Sequence, residues 1–340
     1  MQGDFTRPGN HNEFVFGVYP GGEAGSDAGV LFGPPDDPAK IEAALARLQG
    51  SARKFVVRAY ELFADPGSPW NGAPQMPDNY TQYLRNGRQL DLVIKYQSRS
   101  ADIRGYVDFV RTLVREHGRH LYSVQVTEEA NFTNGPACID GAYPKVREAL
   151  VQGVMAAKEE ARRLQLDVKA GFNSTPTFGD AEEFWPALLQ IGGPSFVESV
   201  DYIGLDAFPD VFHPVAKDGE SGDLKSAIVE LLEIMRTRWL PASGIAAGTP
   251  IHIAEHGWPT GPSRSESRQA EVIEHVIRTV YEVRERLNVE RYTLFGLRDT
   301  DDSQENADNI FRHFGIMTAV YEPKPAFEAF RRLVAELTVT

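Results

Sequence analysis

Tyr202-Ile203-Gly204-Leu205-Asp206 and Ile251-His252-Ile253-Ala254, separated by the long run Leu224–Trp239, decide the architecture of this chain. The two short runs are rich in large apolar residues, the pattern of strands buried on both faces. The run between them places Leu224, Ile228, Leu231, Met235 and Trp239 three or four residues apart, the spacing of one helix face. A strand, a helix and a second strand in this order form a parallel unit. Working outward, the same rhythm recurs. Further strands are read at Phe14–Val18, Phe55–Ala59, Leu90–Tyr96, Tyr122–Thr127, Val168–Phe172 and Tyr292–Leu297. Helices are read at Pro38–Leu48, Ala101–His117, Pro144–Leu164, Ala181–Gln190, Ser267–Leu287 and Pro325–Leu337, with a shorter one between Asn79 and Arg88. Asp37 before Pro38, and Ser265–Ser267 before the next-to-last helix, supply start signals. Eight strands alternating with eight helices predict an α/β fold, a single-domain (β/α)8 TIM barrel over residues 1–340. A doubly wound open sheet is the rival, but Gly17, Gly21 and Gly22 do not form a GxGxxG turn opening a helix.

Composition narrows the partners. The chain has 340 residues and a formal net charge of −13, which disfavours nucleic acid, a partner that needs clustered Lys and Arg. At 42% hydrophobic and 24% charged residues it is not a disordered polymer. No apolar run approaches the roughly 18 residues of a membrane span. A single cysteine, Cys138, excludes a disulfide framework and a Cys-rich zinc site. The start, MQGDFTRPGNHNEF, lacks the layout of a secretory signal, so a cytoplasmic protein is expected unless a leader precedes it.

Active sites of such barrels lie at the C-terminal ends of the strands. Reading those ends gives Tyr19, Arg58, Tyr60, Glu61, Lys95, Tyr96, Gln97, Glu128, Glu129, Asn131, Asn173, Asp206, Phe208, Glu255, Trp258, Arg298 and Asp299. Carboxylates on opposite strands of one mouth, ringed by aromatic and amide side chains, suit cleavage of a glycoside. One carboxyl protonates the leaving oxygen and the other attacks the anomeric carbon.

The segment Glu255-His256-Gly257-Trp258-Pro259 resembles the nucleophile segment of clan A glycoside hydrolases, in the form found in β-1,3-glucanases. Val126-Thr127-Glu128-Glu129-Ala130-Asn131 is similar to the clan's Asn-Glu-Pro-Asn acid/base segment, with Glu128 in the Asn place and Ala130 in the Pro place. The resemblance implies a retaining β-glycoside hydrolase without a cofactor or metal, working by a two-glutamate double displacement. Glu255 would be the nucleophile and Glu129 the acid/base. Arg58 would lie within hydrogen-bond reach of Glu255 and keep it ionised. Tyr19, Gln97, Glu128, Asn131, Asn173 and Trp258 would contact a carbohydrate substrate. There are departures as well: Glu128 replaces an amide, Phe208 stands where a Tyr or His is common, and strand eight offers Phe295 or Leu297 where the clan has a Trp.

Other features read blandly. Asp299–Glu305 lacks the glycine and distal glutamate of a calcium loop and is expected to be a solvated loop. No histidine pair has metal-ligand spacing, and His213 and His256 are placed only near the mouth. Asn131-Phe132-Thr133 fits the glycosylation sequon but lies in the proposed site. Glu128 is expected to face the substrate and, as a like charge beside Glu129, to raise the latter's pKa. The alternative, from strict alternation of faces, is that Glu128 turns aside into a salt bridge with a basic neighbour. The long loops Ala64–Asn79 and Asp210–Asp223 are expected to shape the cleft. The alternative function is a catalytically altered barrel that binds sugar or regulates; a metal-dependent hydrolase is a more distant third.

Overall fold

Eight parallel strands close on themselves in the computed structural model. It describes residues 13–338 apart from 28, 67–74, 136–137, 213–214, 216–222 and 304–307; His213 and parts of both long loops therefore lie outside the described residues. The barrel strands are β1 Val15–Val18, β2 Phe55–Ala64, β3 Gln89–Gln97, β4 Leu121–Val126, β5 Lys169–Ser174, β6 Tyr202–Asp206, β7 Ile251–His256 and β8 Val289–Leu294. Each pairs with its neighbour in sequence, and β1 pairs with both β8 and β2, which leaves no free edge in the ring. Gly17 sits at this closure. A Cβ there would run into the Val56 side chain, so only glycine lets β1 and β2 approach.

The outer layer consists of α1 Pro38–Gln49, α2 Ile103–His117, α3 Val146–Arg163, α4 Phe184–Val197, α5 Leu224–Ile234, α6 Glu266–Leu287 and α7 Pro325–Leu337. The Asp37 carboxylate accepts from Ala39 N and Lys40 N at 3.0 and 3.2 Å, and Ser265 Oγ accepts from Arg268 N at 3.2 Å, so both start signals are realised as caps. Between β2 and β3 the expected short helix is a single 3₁₀ turn, Tyr80–Tyr83, closed by Leu84. Most strand ends fall within one or two residues of expectation, and two strands differ by more. β2 runs five residues further, to Ala64, because β3 follows it as far as Gln97 and Gln75–Met76 pairs antiparallel to its end. β8 starts at Val289 and stops at Leu294, and beyond it Phe295 N still donates to His256 O and Leu297 N to Tyr19 O, each at 2.8 Å.

The barrel interior is polar at its centre. Asp91 on β3 is fully buried between Arg58 on β2, at 2.8 Å, and Arg291 on β8, also at 2.8 Å, with Ser123 Oγ donating to it at 2.5 Å. Burial alone would raise the Asp91 pKa, but the two arginines outweigh it and hold the carboxyl below its ordinary range. Among the described residues no helix is long and apolar enough to cross a membrane.

Candidate active site

Successive residues on a strand face opposite sides, so Arg58 and Tyr60 project together from β2. Both reach Oε1 of Glu255, which ends β7. Arg58 donates to it through Nη2 at 3.0 Å and Nε at 3.3 Å, and the Tyr60 hydroxyl donates to the same oxygen. Arg58 Nε also donates to the Tyr60 oxygen at 2.8 Å, which leaves the phenolic hydrogen directed at Glu255. The far side of the guanidinium is anchored on Asp91 and on Gln125 Oε1, at 2.8 and 3.0 Å. Arg58 thus lies where the sequence expected it. Lysine cannot reproduce this fork. Arg58→Lys is expected to lower kcat by roughly 10- to 100-fold, the scale of hydrogen bonds to charged groups, and to change KM less. Steady-state kinetics on any turned-over glycoside decides this, and wild-type kcat would show that the fork does not act in turnover.

The end of β4 is irregular. Thr127 and Glu129 have φ of 65° and 46°, in the left-handed region that non-glycine residues rarely enter. Buried partners hold them there: Asp140 Oδ2 accepts from Tyr96 N and Glu128 N at 2.7 and 2.8 Å, and Asn173 Oδ1 accepts from Glu129 N at 2.9 Å. Strict alternation is therefore broken, and Glu128 and Glu129 both face the mouth. Glu128 is not drawn into an outer ion pair. Its Oε2 accepts from Gln125 Nε2 at 2.9 Å and its Oε1 from Asn173 Nδ2 at 3.0 Å, while Arg58 stands 3.6 Å away. Oxygens of Glu128, Asp206 and Glu255 lie within 4.8 Å of one another, a set with the donor chemistry for a cation.

Crowded, buried carboxylates resist ionisation. Burial and then the Glu255 charge push Glu128 up to about 8. The same two causes push Glu129 up to about 7, against a hydrogen bond with Thr175 and the Lys95 charge. Asp206 is raised by burial, Glu255 and Glu128. For Glu128 the unfolded chain releases its proton near pH 4.3, whereas the folded protein keeps it until about pH 8. Its contribution to stability is full below the unfolded value and is lost as pH rises through 8. Glu128→Gln is therefore expected to melt higher than wild type at pH 8–9 and similarly at pH 4. Thermal melts at both pH values test it; equal melting temperatures at pH 9 would refute the raised value.

A cavity of about 910 Å³ opens above these groups. Of the expected site residues, Tyr19, Glu128, Glu129 and Glu255 line it. Arg58 and Asn173 sit beneath, holding the carboxylates; Asn173 Nδ2 also donates to Asp206. Asn131 is buried at 2% exposure, its amide engaged by Thr175 O at 2.7 Å and Thr177 Oγ1 at 2.9 Å, so it shapes the β5 loop and is closed to glycosylation. Gln97 is buried near Asp140, outside the cavity lining. Trp258 packs into the core with its indole donating to Asp210 at 3.3 Å and also lies outside the lining. Phe295 forms the strand-eight wall, stacked on Tyr19 at 5.3 Å, while Leu297 is in the core.

The sequence reading missed Asp91 and Gln125, and it placed Tyr60 and Asp206 at the strand ends without giving them a part. The available signal for Tyr60 was its two-residue spacing from Arg58 on one strand. His256 points away from the mouth, its Nδ1 against the Tyr292 hydroxyl. The Asp299–Glu305 run departs from a solvated loop only at its start, where Asp299 is 3% exposed and pairs with Lys324 at 2.5 Å; Asp302 and Ser303 are exposed, and 304 and 305 lie outside the described residues.

No family model matches the chain, and no curated protein matches its sequence. Solved structures do match. A family 39 glycoside hydrolase from Bacteroides cellulosilyticus WH2 superposes with a TM-score of 0.60 at 15% identity, over 96% of this chain and 64% of that one. A β-glucosidase from Thermotoga maritima, in complex with deoxynojirimycin, superposes with a TM-score of 0.61 at 12% identity, over 96% and 99% of the two chains. This chain has the (β/α)8 barrel fold of these enzymes. A GH2 β-galacturonidase from Eisenbergiella tayi shares it at a TM-score of 0.58 and 13% identity, over 96% of this chain. The chain spans 64% of the length of the family 39 enzyme and 51% of that of the galacturonidase.

Proposed function

We propose that this barrel hydrolyses a β-linked glycoside with retention of configuration. The observation that carries the reading is one carboxylate, Glu255 on β7, with three hydrogens directed at a single oxygen, sharing a cavity with Glu129 from the end of β4. Glu255 attacks the anomeric carbon while Glu129 gives its proton to the departing oxygen, leaving a glycosyl ester on Glu255. Glu129, now a carboxylate, takes a proton from water, which breaks that ester and frees the sugar. A Glu129 pKa raised to about 7 suits a group that must be protonated first and charged next. Glu129 is preferred to Glu128 as the acid because both Glu128 oxygens are already occupied by amides.

The glycoside hydrolase structures that share the fold support the carbohydrate class of substrate. The test is a panel of aryl β-glycosides, with the anomer of the first-formed product read by NMR. A β product supports double displacement; an α product overturns retention. Binding of sugars without turnover across the panel would favour a sugar-binding barrel instead.

A further inference from the structure

One wall of the cavity carries no polar side chain among the described residues, whereas the other mixes charged and polar groups with apolar ones such as Val30, Met76, Phe132 and Ile139. Charged and polar lining side chains such as Glu23, Asp27, Lys95, Asn134 and Thr175 come from the loops after β1, β4 and β5 and from the end of β3. Among the described residues, every lining residue from the loops after β6 and β8 is apolar: Phe208, Phe212, Phe295, Ile310, Phe311 and Phe314. The five phenyl rings form one contiguous sheet of contacts. Phe212 meets Phe208, Phe311 and Phe314 at centroid distances of 5.4, 5.8 and 6.2 Å, and Phe314 meets Phe208 and Phe295 at 5.6 and 6.0 Å. Phe212 stays 45% exposed, so this wall offers its apolar surface to whatever enters.

Phenyl rings carry no hydrogen-bond group. A second sugar can stack the apolar face of its ring on a phenyl group, but its hydroxyls find no side-chain partner on this wall among the described residues, and any that it buries there go unpaired. An alkyl or aryl group meets no such penalty and removes apolar surface from water on both sides. We infer that the substrate is a glycoside whose departing alcohol is apolar, its sugar at the glutamates and its alkyl or aryl group against the phenyl wall. This rests on the proposed hydrolase reading for the word substrate, but the ligand class is read from the wall alone.

The experiment measures binding of methyl, butyl and hexyl β-D-glucosides to the whole protein by calorimetry, with cellobiose alongside, and scores hydrolysis of the same compounds. Each buried methylene is expected to tighten binding by up to about fourfold, so hexyl glucoside should bind well over tenfold more tightly than methyl glucoside. Phe212→Ser, at a half-exposed position where folding is not at stake, should shrink the hexyl-to-methyl ratio several-fold. Equal affinities along the series, no detectable binding, a ratio untouched by Phe212→Ser, or cellobiose binding more tightly than hexyl glucoside would each overturn the inference. Hydrolysis with flat affinities leaves the hydrolase reading standing and removes this one; chain-length-dependent binding without hydrolysis does the reverse.

Discussion

Glu255→Gln is expected to lower turnover of an aryl β-glycoside by on the order of 10⁴-fold or more, the scale seen when a nucleophile is removed from a catalytic unit. The substitution is nearly isosteric. The Gln carbonyl still accepts from Arg58 and Tyr60, so the melting temperature should move little while the attacking oxygen is gone. A 2-fluoro glycoside with a good leaving group should trap the wild-type intermediate and add one sugar mass to the peptide carrying Glu255. Label on Glu128 or Asp206, the other two carboxylates of the cluster, would transfer the nucleophile to that residue.

Glu129→Gln is the second large effect. Proton donation is worth roughly 10²- to 10⁴-fold, and that loss should appear on alkyl glycosides, whose leaving oxygens need the proton. Activated phenols depart without it and should retain far more of their first-step rate. The pH profile carries a sign. The acid must be protonated, and its carboxyl is raised to about 7, so kcat/KM of the wild type should fall as pH rises through about 7. In Glu129→Gln that limb should vanish. If Glu128→Gln removes the limb instead, the acid/base is the residue before.

The contrast between Glu255 and its surroundings shows what a sequence of this kind discloses. The eight strands and most helices are legible because burial on both faces leaves apolar runs, and helix faces recur every three or four residues. Glu255 and Arg58 are legible because a strand end fixes where a side chain points. Tyr60 is harder to read, since a tyrosine near a mouth can equally be packing, and only the folded chain brings its hydroxyl to Glu255. Trp258 illustrates the opposite error. It sits three residues past the strand-ending glutamate, where the chain has already turned, and its indole finds Asp210 and the core. The joint exposure of Glu128 and Glu129 depends on two left-handed residues pinned by Asp140 and Asn173, which lie 12 and 44 residues further on in the chain. No local pattern encodes that.

The groups around Glu255 and the Glu128 carboxyl are borne on the ring itself: Arg58 and Tyr60 on β2, Asp91 on β3, Gln125 on β4, Asn173 on β5 and Asp206 on β6, while Asp140 and Thr175, which steady Glu128 and Glu129, lie in the loops after β4 and β5. Among the described residues, the loops after β6 and β8 contribute only apolar lining to the cavity. On the proposed reading, the carboxylate cluster and the aromatic wall therefore belong to separable parts of the molecule. Exchanging those two loops for others should leave the cluster in place and change only what lies against it. Grafted chimaeras should therefore differ far more in which leaving groups they accept than in how fast the glycosyl ester on Glu255 is hydrolysed, since that step no longer involves the departed alcohol.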